Sequence, residues 1–342
     1  MKYGLALAGG GARGAAHAGV LLALKEENLL PDVIGGTSAG SIAAGLFAAG
    51  MEPEELCELV RHLAEHGPDY LDLNLLSLLG LIPQMLLGLQ PRVCGLLKGK
   101  RLHALLHGLT GKQQLEQLNY PLFIPAVDLH TGITVCFTNY LHLSPASDSF
   151  YTNIPLHTNT PFLRSVKTGE PGKEQQILWK NSGFLSDIIL ASSSVPGIFC
   201  PVRMNSFCLV DGGITNNLPV DLMRAAGVKT VAAVDIGSPY RMPEEESIFE
   251  ILSHSFSIMS ANLKDCRSMG ETVLLTPSLP EDAGLFSFHR METCMDAAYR
   301  YTKEHIHIFH SLSESFSESL YGDFRTAASP YRSKPRRHGP VF

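Results

Sequence analysis

Gly35-Gly36-Thr37-Ser38-Ala39-Gly40-Ser41 follows the short apolar run Val33-Ile34 and precedes a run of small residues, Ile42 to Ala49. Within it, Gly36 to Gly40 has the form G-x-S-x-G. The pattern predicts a strand, a tight turn and a helix, with Ser38 at the bend. Such a turn holds serine in a strained backbone conformation with its hydroxyl exposed. Glycines at 36 and 40 leave room where a β-carbon would collide as the chain folds back. The helix behind Ser38 turns its positive end toward the bend and favours developing negative charge there. A plain Gly/Ser loop has the same composition, so the surrounding stretches decide the reading.

Upstream, Tyr3 to Ala8 reads as a buried strand. Gly9-Gly10-Gly11-Ala12-Arg13-Gly14 follows, then a small, apolar helical run from Ala15 to Leu24. Strand, G-x-G-x-x-G and helix is also the dinucleotide fingerprint, which needs a carboxylate ending the next strand. Asp32 opens that strand instead, and the serine turn ends it. The other use of such a loop is anion binding: consecutive glycines free backbone N–H groups to converge, and a helix dipole stands behind them. Placed beside Ser38, these amides would form an oxyanion hole. Two successive strand-turn-helix units suit adjacent parallel strands whose loops leave the same carboxyl edge. Arg13 either orients this loop, meets a phosphate or makes a surface salt bridge.

The chain has 342 residues, 45% apolar and 18% charged, with a net charge of -6. That is ordinary globular material, and the slight acidity argues against a nucleic-acid binder. Seven cysteines without framework spacing read as reduced, mostly buried thiols of a cytosolic protein. No ligand set at metal spacing is visible, and Met1-Lys2-Tyr3 leads into a strand rather than a signal peptide.

Downstream, Glu52 to His66 is an amphipathic helix with Pro53 in its first turn and Gly67 at its exit. Tyr70 to Leu97 is leucine-rich, but Pro83 and Gln84 interrupt it, and it is too short to span a bilayer. It reads as a buried helical pair or as an apolar lid that touches membrane. Lys98 to Leu109 resumes as a helix. Pro121 to Asp128 and Ile133 to Thr138 form a hairpin, whose Pro125 puts the first strand at an edge or bulge. Residues 144–173 are polar, weakly patterned and read as an irregular insertion. Phe184 to Ser192 is helical, Phe199 to Met204 extended, and Phe207 to Val210 runs as a strand into Asp211-Gly212-Gly213. Val228 to Ile236 and Thr272 to Thr276 are strands, and Ser247 to Leu263 and Phe286 to His310 are helices. Residues 311–342 read as a flexible tail, basic from Tyr331 to His338.

A serine hydroxyl needs a base. Asp211 with His254 or His289 would keep the serine-acid-histidine order of an α/β-hydrolase, although neither histidine sits in an evident strand-end loop. Asp-Gly-Gly alone suits a hairpin turn; after a strand, with the two upstream loops, it suits a carboxylate presented to Ser38. Partial burial beside Val210 and Ile214 would raise its basicity.

Gly9 to Gly14 (GGGARG), Gly36 to Gly40 (GTSAG), Ala191 to Val202 (ASSSVPGIFCPV) and Asp211 to Gly213 (DGG) occur in this order. Together with Pro125 to Gly132 (PAVDLHTG), they resemble the patatin-like phospholipases. The resemblance covers about Tyr3 to Gly237. It implies a three-layer α/β/α fold with a mostly parallel sheet, filling residues 1–310 as one domain. It implies a Ser-Asp dyad without a catalytic histidine or a cofactor. Ser38 would be the nucleophile, held by Gly36, Thr37, Ala39 and Gly40. Asp211 would be its base, presented by Gly212 and Gly213, and Gly9, Gly10, Gly11, Ala12, Arg13 and Gly14 would form the oxyanion hole. The expectation is a cytoplasmic acyl hydrolase of lipid esters, peripheral to membranes, with a non-catalytic lipid-binding module as the rival.

Overall fold

The two strand-turn-helix units lie side by side at the middle of the sheet. In the computed structural model, which describes residues 3–75, 79–87, 93–140, 162–167, 174–237, 247–265 and 270–313, β1 (Gly4–Leu7) pairs in parallel with β2 (Val33–Gly36), Leu7 opposite Gly36. Helix α1 (Ala16–Glu26) follows the first and α2 (Ala39–Ala48) the second. Both strands are buried on both faces, which explains their unbroken apolar and glycine composition. On the far side of β1 lie β9 (Val231–Val234) and then β10 (Val273–Leu275), both parallel. The loops after β1, β2 and β9 therefore open at one carboxyl edge, where ligands of open α/β sheets gather.

The other half of the sheet brings the end of a distant strand to that edge. β3 (Leu122–Asp128) runs parallel to β2, but only through Ile34↔Leu122 and Gly35↔Phe123. β4 (Thr134–Thr138) occupies the opposite edge of β3 along its length. Past Phe123 the edge vacated by β2 is taken by β8 (Phe207–Asp211), antiparallel, with Asp211 opposite Ala126. The carboxyl ends of β2 and β8 thus face each other along one flank of β3. Pro125 falls in the gap between the two pairings. This corrects the expectation of an edge strand or bulge: β3 is interior, and the change of partner accommodates a residue with no N–H.

Beyond β4 the sheet continues through β6 (Glu174–Lys180) and β5 (Phe162–Lys167), to ten strands among the described residues. β5 overturns part of the reading of residues 144–173 as irregular; β6 begins just past that stretch. Their sequences alternate too weakly to announce strands; pairing with β4 orders β6, and pairing with β6 orders β5, where local propensity does not. The remainder of that stretch, 144–161 and 168–173, lies outside the described residues, as does the tail from 314.

Helices flank the sheet on both faces. Helix α3 (Pro53–His66) starts with a capping box, Glu52 N–H donating to Glu55 at 2.8 Å. It packs with α1 and with α9 (Met291–Glu304). Leu5, Leu7, Ile34, Phe123, Phe137 and Trp179 are buried at the centre, each contributing about 1.5–3 kcal/mol of burial.

Two expectations fail in the leucine-rich stretch. It is not a buried helical pair: among its described residues the helix α4 (Leu81–Leu86) is short, and Leu73, Leu75, Leu79, Leu86 and Leu87 are exposed. Among its described residues the anchored ones stand near its ends, where Leu73 bridges Leu97. Leu97 is buried with Val195, Ile198 and Phe199, and its N–H donates to Ile198 O at 2.7 Å. The cysteines are not all reduced thiols: Cys94 and Cys200 form a disulfide. The bond joins positions that the Leu97–Phe199 bridge already holds adjacent, and their wide separation in sequence hid the pairing. Among the described residues, no helix is long and apolar enough to cross a membrane.

Candidate active site

Ser38 stands between β2 and α2 with φ 52° and ψ −123°. This is a sparsely populated region for a residue with a β-carbon, and costs about 1–3 kcal/mol. The turn closes only because its neighbours are glycines. A β-carbon on Gly36 would lie 2.1 Å from Gly40 O, and one on Gly40 would lie 2.4 Å from Leu7 O. Thr37 anchors the turn: its N–H donates to Leu7 O at 3.1 Å and its hydroxyl to Asn216 O at 2.9 Å. Ala39 begins the helix and fills the space against Gly14. Ser38 is 6% exposed, and that surface faces a cavity of about 950 Å³.

Asp211, at the end of β8, is fully buried. A turn of 3₁₀ helix, Gly212–Ile214, leads the chain away without covering it. Oδ1 accepts from Gly213 N–H at 2.7 Å. Burial pushes the carboxyl up to about 7; hydrogen bonds from the Ser38 side chain and the Gly213 N–H act the other way and are weaker. Oδ2 has no fully formed hydrogen bond among the described residues. The Ser38 side chain thus acts on this carboxyl without a hydrogen bond of standard geometry. A carboxylate that ionises near neutrality is a far better base than one at the ordinary value of about 4.

The glycine loop reaches Ser38 from the β1 side. A β-carbon on Gly9 would lie 2.9 Å from the Ser38 β-carbon, so the loop can pass only as glycine. Of its amides, Gly9 N–H donates to Asn217 O at 3.1 Å, Ala12 to Leu285 O at 3.0 Å and Arg13 to Gly10 O at 3.3 Å. Gly14 lies within the 3₁₀ turn Gly11–Ala15. The amides of Gly10 and Gly11 have no acceptor among the described residues, and both residues line the cavity. Of the amides of Gly9–Gly14, those left open toward the cavity are thus Gly10 and Gly11.

Arg13 is 5% exposed. Its guanidinium donates to Ile236 O at 2.8 Å, Pro280 O at 3.0 Å and Gly237 O at 3.3 Å. Of the three readings open for it, the structure selects orientation of the loop. It ties the glycine loop to the end of β9 and to the 280–285 stretch that closes over Gly11.

The rest of the cavity wall escaped the sequence reading. Asn217 lines it and bonds Gly9 O through Nδ2 at 3.4 Å. Helix α8 (Ile248–Asp265) supplies a mixed face that includes Ser253, His254 and Phe256. Asn216-Asn217 directly follows the Asp-Gly-Gly turn, and that adjacency could have marked it. Nothing local marked α8.

Among the described residues no histidine hydrogen-bonds Ser38 or Asp211. His17 is fully buried, with Nε2 2.8 Å from Ala8 O; burial lowers its pKa to about 4. It is a strut between α1 and β1. His289 is exposed and His254 lies on α8, across the cavity. No group of three or more His, Cys, Asp or Glu among the described residues is arranged to hold a metal ion.

Residues 5–224 match the family model of patatin-like phospholipases. An NTE family protein of Mycobacterium tuberculosis is 30% identical over 235 residues, covering 69% of this chain and 30% of its own length. Lysophospholipase NTE1 of Kluyveromyces lactis is 31% identical over 239 residues, 69% of this chain and 12% of its own. Patatin-like phospholipase domain-containing protein 6 of Homo sapiens is 28% identical over 236 residues, 68% of this chain and 13% of its own. The chain spans under a third of the length of these relatives.

Proposed function

We propose that this chain, which belongs to the patatin-like phospholipase family, is a serine hydrolase that cleaves acyl esters of lipids. The observation that carries the reading is the meeting of the Ser38 elbow with a buried carboxylate of pKa about 7. Ser38 Oγ attacks the ester carbonyl carbon as its proton passes to Asp211. The carbonyl oxygen becomes an oxyanion that accepts hydrogen bonds from the Gly10 and Gly11 amides, aided by the α1 and α2 dipoles. Collapse breaks the bond to the alcohol, which leaves with the proton held on Asp211. Water then attacks the acyl-Ser38 ester, giving its proton to Asp211. Fatty acid leaves as that proton returns to Ser38 Oγ. Ser38, Asp211, two amides and water account for every bond and proton.

Lysophospholipids are the first substrates to try, because a relative bears the name lysophospholipase. A cavity of about 950 Å³ accommodates a long acyl chain. The exposed leucines of the 73–87 stretch suit contact with a lipid surface. On this reading the protein works at a membrane surface. Purified protein should release fatty acid from a lysophospholipid, and Ser38→Ala should abolish release without lowering the melting temperature. Equal release by the Ser38→Ala protein would overturn the assignment.

A further inference from the structure

The stretch Ser192-Ser193-Ser194 lies outside the reacting groups, yet it touches both of them. We infer that Ser192 and Ser193 are positioning residues: their hydroxyls clamp the two peptide groups of Ser38, while the same tripeptide holds the backbone of Asp211. The inference rests on the hydrolase reading above, since it assigns these residues to that chemistry.

The geometry is as follows. Ser38 N–H donates to Ser192 Oγ at 3.1 Å. On the other side of the same residue, Ser193 Oγ donates to Ser38 O at 3.1 Å, and Ser41 Oγ donates to that oxygen at 2.6 Å. Ser41 and Ser193 are themselves 3.4 Å apart, oxygen to oxygen. One residue later, Ser194 O accepts the Asp211 N–H at 2.9 Å. The tripeptide is placed by helix α6 (Leu185–Ser192), whose buried residues fix its end. Ser192 and Ser194 are fully buried and Ser193 is 7% exposed. None of the three lines the cavity, so none is placed to touch substrate.

The need for a clamp follows from the strain at Ser38. A non-glycine residue keeps a positive φ only where its surroundings over-determine it. A relaxed Ser38 would have to rotate the peptide before it, after it, or both. The first rotation breaks the bond to Ser192, and the second breaks those to Ser193 and Ser41. Either would swing Oγ away from Asp211. Because Ser194 grips Asp211 through its main chain, a single rigid turn sets the spacing of the two reacting groups. The run of three serines looks like loop composition in the sequence; the structure gives each member a separate partner.

Kinetics on a short, soluble p-nitrophenyl ester test this. Ser192→Ala and Ser193→Ala should each lower kcat by about tenfold to a hundredfold, since small misplacements cost that much, with KM unchanged. The rate of fluorophosphonate labelling at Ser38 should fall in parallel. Melting temperature should change far less than the rate. Ser193→Thr, which keeps the donor, should restore most of kcat, whereas Ser193→Val should not. Variants with wild-type kcat and labelling would overturn the clamp. So would losses that follow the melting temperature, or equal rates for the Thr and Val variants. A wild-type protein that neither labels nor turns over would instead sink the hydrolase reading, and the clamp with it.

Discussion

The elbow at residues 36–40 and the leucine-rich stretch at residues 71–97 are opposite kinds of structure. The first is five residues long and determined at nearly every atom: two glycines admitted by carbonyl oxygens within 2.4 Å of a hypothetical β-carbon, one strained serine, and a bond to each of its peptide groups. The second is much longer, pinned where Leu73 bridges Leu97 and where Cys94 bonds Cys200, and leaves Leu79 72% and Leu86 82% exposed. The elbow has one conformation because steric and hydrogen-bond demands agree. The leucine stretch is apolar enough to be buried, but among the described residues nothing covers its exposed leucines. Chemistry that needs sub-ångström placement sits on the first kind; contact with a soft, variable surface is suited to the second.

The largest effect should come from changing the elbow's partner. Asp211→Asn should lower kcat/KM by about a thousandfold or more on short and long esters alike. The same variant has an opposite effect on stability. The folded pKa of Asp211, about 7, lies above the ordinary value of 3.8. Its contribution to stability is thus complete below the unfolded value and is lost as pH rises through the folded one. Asparagine is neutral throughout. Thermal melts should show Asp211→Asn gaining on the order of 2–4 kcal/mol over wild type above neutrality and nothing near pH 4. A gain over wild type that is the same at both ends would show that Asp211 is not buried as a charge.

Next comes the anchor of the leucine stretch. Cys94→Ser, or reduction, should cost about 2–4 kcal/mol in a denaturant melt, because the bond closes a sequence separation of 106. Activity on a short ester should stay near wild type, since Ser38 is held independently. Gly10→Ala should reverse that pattern. The new β-carbon would stand 2.8 Å from Ile236 Cδ1, so side chain and loop must shift. The expected result is a loss of about tenfold to a hundredfold in kcat with little change in melting temperature. Smallest is the surface itself. The triple change Leu79→Gln, Leu86→Gln and Leu87→Gln should reduce hydrolysis of vesicle-borne lipid about tenfold and leave short esters untouched. An equal loss on both substrates would erase the distinction between the regions.

Legibility in the sequence follows the same division. Ser38, Asp211 and the two glycine loops were visible because turns and close backbone approaches require particular residue types. The order of the central strands followed from two repeated strand-turn-helix units. The partner change along β3 was not visible: it depends on β8 arriving from more than eighty residues away, and Pro125 alone points to an edge. Arg13 remained open because its three acceptors are carbonyl oxygens, which leave no trace in side-chain sequence. The leucine stretch was misread for the converse reason, since apolar composition states a need for burial without saying what supplies it. β5 and β6 were missed because their alternation is weak, and they become strands only by pairing, β6 with β4 and β5 with β6.

The most direct test is the rate of fluorophosphonate labelling followed from about pH 5 to about pH 9, with the adduct located by peptide mass spectrometry. The account predicts one adduct, on Ser38, forming at a rate that rises through about pH 7 with ionisation of Asp211, and a slow, flat profile in Asp211→Asn. An adduct on another serine, or Ser38 labelling that keeps its rate and pH dependence in Asp211→Asn, would contradict it.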